Sequence, residues 1–483
     1  MCPMKLVFAS LLASLVALSA CDSETSTETT PPEPKLYPAA GVTITEVAIY
    51  QSLKRTLAKD GAATPTSDIP LVEGRDAMIR VFFDTSGDYD GEKVTGHLVL
   101  DDGEPIVAEG KLFGPSSEGS LASTVNFFIP GDRIGPSFTY SIELLQKAKS
   151  ENSAARYPGS GTDTVTMDAP KQTFRVVIAP LRYDYDGSGR LPDTSEAAVE
   201  VYRARLAQIF PVSNVEIFLR NPQPWDEEIG PGGQGWQEVI EETIGFRAAD
   251  ESPNDYYYYS LFNPEPSFAE WCGGGCLLGL TLLNDMPADR GNTLLRIAAG
   301  IGYDGYGPDT MAHELGHAHG RLHAPCGGPD GVDPDFPHSG GKIGTWGLDP
   351  NTGALFDPQI TTDIMGYCDF SWVSDYTYKA LMNRGSAVNL PKWEKPDNDR
   401  AVILSLSGDG EIKWGHTVDV PRNLAGRRHK ARVREFGGAP RDVEATMLTY
   451  DHLPGGIIIV PNVSEGVSEV ELTLPERTVL VRR

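Results

Sequence analysis

The stretch that decides what the fold must support is His313-Glu314-Leu315-Gly316-His317-Ala318-His319-Gly320-Arg321-Leu322-His323. On a helix, His313 and His317 lie one turn apart on the same face, so both imidazoles can reach one metal ion. Glu314 points alongside them, toward a water on that metal. Gly320 allows the sharp turn that ends the helix and returns His323 as a third ligand. Three nitrogen ligands leave one zinc position open, which predicts a catalytic site with Glu314 as general base.

His319 lies inside this stretch but outside the predicted metal shell. It follows His317 by two positions, and residues two apart on a helix lie on different faces. A second interpretation of the stretch stays open, namely a surface helix with satisfied histidines and a glycine cap. The combination of three spaced histidines with a glutamate and a glycine favours the metal site.

A second motif follows downstream, at Thr362-Asp363-Ile364-Met365-Gly366-Tyr367-Cys368. Together with the long histidine motif, it resembles the metzincin clan of zinc endopeptidases. The resemblance implies that His313, His317 and His323 bind one catalytic zinc ion. It also implies that Met365 lies beneath the metal without touching it and that Tyr367 supports the oxyanion during peptide hydrolysis. Ordinary core packing is the alternative role for Met365 and Tyr367.

The chain also departs from the familiar metzincin subfamilies. Ala324 and Pro325 follow the last predicted ligand, where astacin-like chains carry Glu and adamalysin-like chains carry Asp. The glycine-rich calcium repeats of serralysins are missing from the sequence. The nearest resemblance is therefore to bacterial secreted and lipoprotein metalloproteases of the mucin-cleaving type. These departures leave the substrate open and do not affect the predicted zinc chemistry.

The N-terminus predicts export and a lipid anchor. Lys5 precedes an apolar run from Leu6 to Leu18 that is short for a membrane span, and Leu18-Ser19-Ala20-Cys21 has the form of a bacterial lipobox. We expect Cys21 to be lipidated and residues 21–40 to form a disordered tether, because the chain there is rich in Ser, Thr, Glu and Pro. A plain secretory signal with an incidental cysteine is the alternative. The predicted location is the bacterial cell envelope, on the periplasmic face or the cell surface.

The remaining cysteines fit an oxidising compartment. Apart from Cys2 and Cys21, the chain has Cys272, Cys276, Cys326 and Cys368. Three disulfide pairings are possible. We favour Cys326 with Cys368, which would tie the loop after the third predicted ligand to the residue after Tyr367, and Cys272 with Cys276 across three glycines. A second zinc site made of these four cysteines is the alternative.

Net charge limits the partners. The chain carries 41 basic and 67 acidic residues, for a net charge of -26. This excess argues against nucleic acid as a partner. The basic run from Arg427 to Arg432 is predicted to be a solvated strand edge. The expected partners are a protein or glycoprotein substrate and, through Cys21, a membrane.

The order of predicted elements suggests three folded parts. After a signal peptide at 1–20 and the tether at 21–40, we expect a β-sandwich at 41–170, a metzincin catalytic domain at 171–388 and a β domain at 389–483. The predicted fold class is an α+β metzincin domain, with a twisted mixed sheet and helices, flanked by sandwich-like β domains. By the same resemblance, Leu277 to Leu283 is an exposed edge strand that can pair with an extended peptide.

A calcium loop is a weaker hypothesis. Asp184, Asp186 and Ser188 stand at alternate positions, as at the start of a calcium loop, but Ser195 occupies the position where an EF-hand carries its acidic twelfth ligand. An Asp-Gly turn is favoured instead.

The function predicted from the sequence is zinc-dependent hydrolysis of peptide bonds in extracytoplasmic proteins. Two alternatives stay open: a catalytically inactive surface-anchored binding protein or adhesin on the same scaffold, and a structural zinc protein. An inactive protein would be expected to carry a damaged motif, whereas all three histidines and Glu314 are intact. A structural site requires a fourth protein ligand, for which the sequence suggests only Tyr367.

Overall fold

Strands dominate the regular structure of the chain. The structure is a computed structural model that describes residues 35–65, 67–283, 294, 296–369, 371–389, 398–422, 424 and 426–483. Strands account for 40% of the described residues and helices for 17%. Among these residues, no helix is both long and apolar enough to cross a membrane. The predicted signal peptide, Cys21 and the first part of the predicted tether lie outside the described residues.

The N-terminal segment is built from strands. They are β1 (Tyr37–Pro38), β2 (Val42–Tyr50), β3 (Lys54–Lys59), β4 (Ala62–Ala63), β5 (Ala77–Thr85), β6 (Lys93–Leu100), β7 (Ile106–Lys111), β8 (Val125–Ile129), β9 (Ser137–Gln146), β10 (Arg156–Tyr157) and β11 (Asp163–Thr166). One sheet has the order β1-β9-β6-β7, with β10 and β11 also pairing with β9, and the other has the order β4-β3-β2-β5-β8. Apolar side chains of both sheets share one core, for example Ile142 of the first and Ile79 of the second.

The middle segment combines a mixed sheet with helices. Its elements are β12 (Thr173–Tyr183), α1 (Glu196–Ile209), β13 (Asn214–Leu219), β14 (Gln223–Trp225), α2 (Trp236–Ala249), β15 (Tyr256–Phe262), α3 (Phe268–Trp271), β16 (Gly279–Thr281), β17 (Ile297–Ile301), α4 (Gly307–Ala318), β18 (Gly347–Leu348), β19 (Leu355–Phe356), β20 (Thr362–Asp363), β21 (Ser371–Trp372) and α5 (Asp375–Val388). The sheet order is β13-β12-β15-β17-β16, with β14 beside β12. All neighbours are parallel except β16, which runs antiparallel to β17 at the edge.

Helix α4 follows the inner strand β17 and lies beside α1. Pro308 stands in its first turn, where the missing backbone donor costs no hydrogen bond. Met311, Ala312 and Leu315 form its apolar side, and all three are fully buried in the core that α1 completes with Tyr202, Leu206 and Ile209. This packing fixes the helix that carries His313 and His317 against the sheet.

The C-terminal segment forms a single antiparallel sheet. Its strands are β22 (Asn398–Leu406), β23 (Ile412–Pro421), β24 (Arg427–Glu435), β25 (Arg441–Thr449), β26 (Gly456–Pro461), β27 (Val467–Thr473) and β28 (Thr478–Arg482), in the order β23-β22-β26-β25-β24-β27-β28. Part of one face, including Ile403 and Ile457, belongs to the same buried core as Trp236 and Ile240 of α2. This sheet is therefore joined to the middle segment by a common core.

The predicted fold class, an α+β metzincin domain flanked by sandwich-like β domains, is wrong. The chain is mostly β and contains several antiparallel sheets. The C-terminal strands form one sheet and not a two-sheet sandwich. One face of this sheet packs on α2 and the mixed sheet, and the other face has a core of its own that includes Val402 and Val470. Alternating runs predict that strands form, but they do not predict which partner buries the apolar face.

Candidate metal centre

Three histidines converge at the end of α4. His313 and His317 lie on one face of the helix with their Nε2 atoms 3.1 Å apart, and the Nε2 atoms of His317 and His323 are also 3.1 Å apart. Gly320 has a φ of 84°, a left-handed conformation that favours glycine, and it lets the chain turn back after α4. The turn carries His323 to the other two histidines.

The other nitrogen of each ring faces a backbone carbonyl. The Nδ1 atoms of His313, His317 and His323 lie 2.8 Å from Ile364 O, 2.6 Å from Arg321 O and 2.5 Å from Asp330 O, respectively. A carbonyl only accepts, so each Nδ1 carries the proton and each Nε2 presents a lone pair. Three lone pairs so close together repel one another unless a cation lies between them. The donor set therefore fits a metal ion.

Burial keeps these rings in their neutral, metal-binding form. Desolvation lowers the pKa of His313 and His317 well below the usual value, and it lowers the pKa of His323 to about 4. Nearby histidines add to the effect on all three. The rings therefore stay uncharged at neutral pH, as metal ligation requires.

The turn at Met365 supports the site from below. The Met365 Sδ atom packs so closely on Gly316 of α4 that a Cβ at Gly316 would lie 2.4 Å from it. Asp363 stabilises the turn, since its carboxylate accepts hydrogen bonds from Met365 N and Ser374 N, both at 2.8 Å. Met365 is thus a packing residue under the helix that carries His313 and His317.

Glu314 lies between α4 and the edge strand β16. It is 1% exposed, and its Cγ would lie 2.4 Å from a Cβ added to Gly279 of β16. Burial raises the pKa of Glu314 to about 8, an effect partly offset by a hydrogen bond with Asp451. A carboxyl group whose pKa lies near neutrality is suited to accept and return a proton.

Tyr367 reaches the same site from the loop after Met365. Its Oη atom lies 3.3 Å from His323 Nε2, and the side chain is 49% exposed. The neighbouring Cys368 pairs with Cys326 at a Cα–Cα distance of 5.7 Å, and Cys272 pairs with Cys276 at 4.9 Å. The favoured cysteine pairings are confirmed. The first of them joins the loop after His323 to the residue after Tyr367.

Two further site residues were missed by sequence reasoning: Asp451 and His452, between β25 and β26. One nitrogen or oxygen atom from each of His313, His317, His323 and His452 lies within 4.8 Å of the others, and the same holds for Glu314, Asp451 and His452. Among the described residues, these are the two groups that could hold a metal ion. No motif marks Asp451 and His452, which stand in a tail with strand periodicity.

The Asp451 carboxylate is anchored to β16. Its Oδ1 atom accepts hydrogen bonds from Thr281 N at 3.0 Å and from His452 N at 2.8 Å. Burial and the charge of Glu314 raise the pKa of Asp451 well above its usual range. Two adjacent buried carboxyl groups ionise together only with difficulty unless a cation neutralises them, which again fits a metal ion at this site.

The predicted exposed edge strand is not free. Leu277 N donates to Pro231 O at 2.9 Å, Leu283 N donates to Thr449 O at 2.9 Å, and Asp451 N donates to Thr281 O at 3.3 Å. The regular strand is also shorter than expected, at Gly279–Thr281. Backbone from the C-terminal segment thus occupies positions that were expected to pair with a substrate.

An open cleft of about 1690 Å³ runs past the site. Its walls include α1, the first turns of α4, the segment 276–279 and residues 451–454. This volume exceeds the usual range of pockets for small ligands, roughly 300–1000 Å³. The cleft is large enough for a segment of polymer.

Two other sequence hypotheses concern residues away from this cluster. His319 is buried and stacks on Tyr257 with ring centroids 4.5 Å apart, and its Nδ1 lies 2.6 Å from Leu315 O.

In the loop proposed for calcium, Asp184 pairs with Arg182 and Asp186 pairs with Arg190. The carboxylates of that loop therefore have partners consistent with a turn.

Comparisons with known proteins add no assignment to this geometry. No protein-family model matches the chain, and no curated protein matches it. The resemblance to metzincins thus stays a prediction from residues 313–323 and 362–368, and it does not extend to the fold class. The site is defined by its converging side chains.

Proposed function

We propose that the chain is a zinc-dependent endopeptidase. The observation that carries the proposal is the convergence of the three Nε2 atoms beside the buried Glu314 carboxyl, in a cleft that can accept polymer. Imidazole nitrogen is a preferred zinc donor, and three such donors leave a coordination position for substrate or water. When bound, zinc supplies a Lewis acid that activates water and polarises a carbonyl group.

The residues around the histidines each have a separate role in the proposed reaction. Glu314 takes a proton from the attacking water on a carboxylate oxygen and delivers it to the nitrogen of the leaving amine. The Tyr367 hydroxyl donates a hydrogen bond to the carbonyl oxygen as negative charge develops there. Met365 maintains the position of α4. These roles match those implied by the metzincin-like motifs, and that clan remains our proposal for the chemistry of the site alone.

The proposed substrate is a protein or glycoprotein outside the cytoplasm. The predicted lipobox at Cys21 and the two disulfides favour the bacterial cell envelope, with the chain attached to a membrane through its N-terminal lipid. The net charge of -26 disfavours strongly acidic substrates and nucleic acid. The cleft supports a polymeric substrate rather than a small metabolite.

A closed structural metal centre is the second candidate, and one observation favours it. His452 belongs to the group of four histidines whose ligand atoms lie within 4.8 Å. A fourth protein ligand would fill the coordination position that catalysis needs. Both ring nitrogens of His452 face other partners, however, which favours the open site.

The test compares the soluble protein lacking residues 1–21 with its Glu314→Gln variant. Loss of the carboxylate should lower peptide hydrolysis by about 100-fold or more while zinc is retained, because Glu314 moves protons and is not among the three ligands. Mass spectrometry of a peptide library measures the cleavage, with a chelator as control. Cleavage by the variant at the wild-type rate, or no cleavage by the zinc-loaded wild type, would overturn the proposal.

A further inference from the structure

The hairpin between β25 and β26 reaches from the C-terminal sheet into the metal centre. Its residues Asp451 and His452 lie beside Glu314, and Leu453 and Pro454 continue along the cleft. The His452 side chain is only 8% exposed. Because the residue enters from another sheet, its position is set by the packing of the whole C-terminal segment.

The His452 ring connects Tyr367 with Glu314. Its Nδ1 atom lies 2.5 Å from Tyr367 Oη, and its Nε2 atom lies 3.1 Å from Glu314 Oε1. In the carboxylate form that takes a proton from water, Glu314 only accepts hydrogen bonds, and in that form Nε2 donates to it. A neutral imidazole has one donor and one acceptor, so in that form Nδ1 accepts from the Tyr367 hydroxyl before substrate binds, and the single hydroxyl proton turns to the carbonyl oxygen during hydrolysis. One ring thus orients both side chains.

The hairpin is held firmly in this position. Asp451 is bound to Thr281 through its backbone and its carboxylate, and Thr449 O accepts a hydrogen bond from Leu283 N. The flanking residues Leu448 and Ile457 belong to the core shared with α2. Withdrawal of the hairpin would expose this core to water, so the hairpin is a permanent part of the site.

We infer that His452 is a positioning residue of the metal centre, supplied by the C-terminal sheet to hold the Glu314 carboxylate and the Tyr367 hydroxyl in place. The inference rests on the proposed function, since it assigns a task within the same reaction. With both ring nitrogens used in this way, His452 is not a ligand of the metal.

The test measures turnover and zinc affinity in His452 variants. His452→Ala should lower kcat by about 10- to 100-fold with KM changed by no more than about twofold, because the His452 side chain is nearly buried and contributes little surface to the cleft. His452→Gln keeps one donor and one acceptor and should recover part of the loss. His452→Ala combined with Tyr367→Phe should lose little more than the stronger single variant, since both act through one hydrogen-bonded unit. The matched control is His97→Ala on β6, far from the site, with activity unchanged.

Zinc affinity gives a readout that does not depend on turnover. Competition with a chelator should show His452→Ala within about threefold of the wild type, whereas His323→Ala should lose more than about 100-fold. A loss of that size in His452→Ala would show that His452 is a ligand and overturn the inference. Unchanged kcat in His452→Ala, or additive losses in the double variant, would also overturn it. If the wild type binds zinc but cleaves no peptide, the proposed function fails, and the affinity comparison still tests whether His452 is a ligand.

Discussion

At the scale of residues, the centre depends on how each histidine uses its two nitrogens. The carbonyls of Ile364, Arg321 and Asp330 each accept a hydrogen bond from one Nδ1–H, so three separate stretches of backbone orient the rings. The spacing of His313, His317 and His323 was enough to predict that they meet, because they lie within eleven consecutive residues. No local spacing relates them to His452, which depends on how distant sheets pack.

His319 allows a test of pH dependence with a residue outside the ligand set. Burial lowers the pKa of His319 to about 3 from an ordinary value of 6.5. Below pH 6.5 the imidazole of His319 is protonated in the unfolded chain but stays neutral in the folded chain. The free energy of unfolding therefore falls as the pH falls from 6.5 toward 3. At pH 5 the loss is about 2 kcal/mol.

His319→Phe should keep the stacking on Tyr257 and remove this dependence. We expect the free energy of unfolding in urea to fall less between pH 7 and pH 5 in the variant than in the wild type, by about 2 kcal/mol. His97→Phe serves as the control. If the free energy of unfolding falls equally between pH 7 and pH 5 in His319→Phe and in the wild type, His319 is not a buried, neutral histidine.

At the scale of elements, the site depends on the contact between α4 and β16. Both elements were predicted in approximately the right place, from the histidine motif and from the apolar run at Leu277 to Leu283. The sequence did not predict the length of β16 or the backbone that occupies its edge. That backbone includes Thr449 and Asp451, which are far from β16 in the sequence. Local patterns specify strands but not their neighbours.

Gly279 tests this contact. A methyl group there would lie 2.4 Å from Glu314 Cγ, so Gly279→Ala should push the carboxylate away from its position while leaving the histidines in place. We expect kcat to fall by about 100-fold, the effect of misplacing a reactive group by about 1 Å, with zinc retained. Steady-state kinetics and metal analysis measure the two effects.

The matched control is Gly110→Ala on β7, where an added Cβ would meet no atom within 4 Å. That variant should behave as the wild type. Full activity in Gly279→Ala would show that Glu314 does not depend on the close approach of β16.

At the scale of the whole molecule, the metal centre is assembled from segments that lie far apart in the sequence. The histidine helix belongs to the middle segment, whereas Asp451 and His452 come from the C-terminal sheet. The predicted sandwich-like fold of that segment was wrong, because its strands form a single sheet and one face of this sheet shares a core with Trp236 and Ile240. Periodicity predicted its strands, but tertiary packing decided that they complete the site.

The most direct test of the metal centre is the zinc content of the purified chain after loading with zinc and removal of the excess. We predict one zinc per chain in the wild type and in Glu314→Gln, and little or none in His317→Ala, whose ring contributes the central Nε2 of the three. Elemental analysis by mass spectrometry gives the ratio. A wild type without zinc, or a His317→Ala variant that binds it as tightly, would contradict the account.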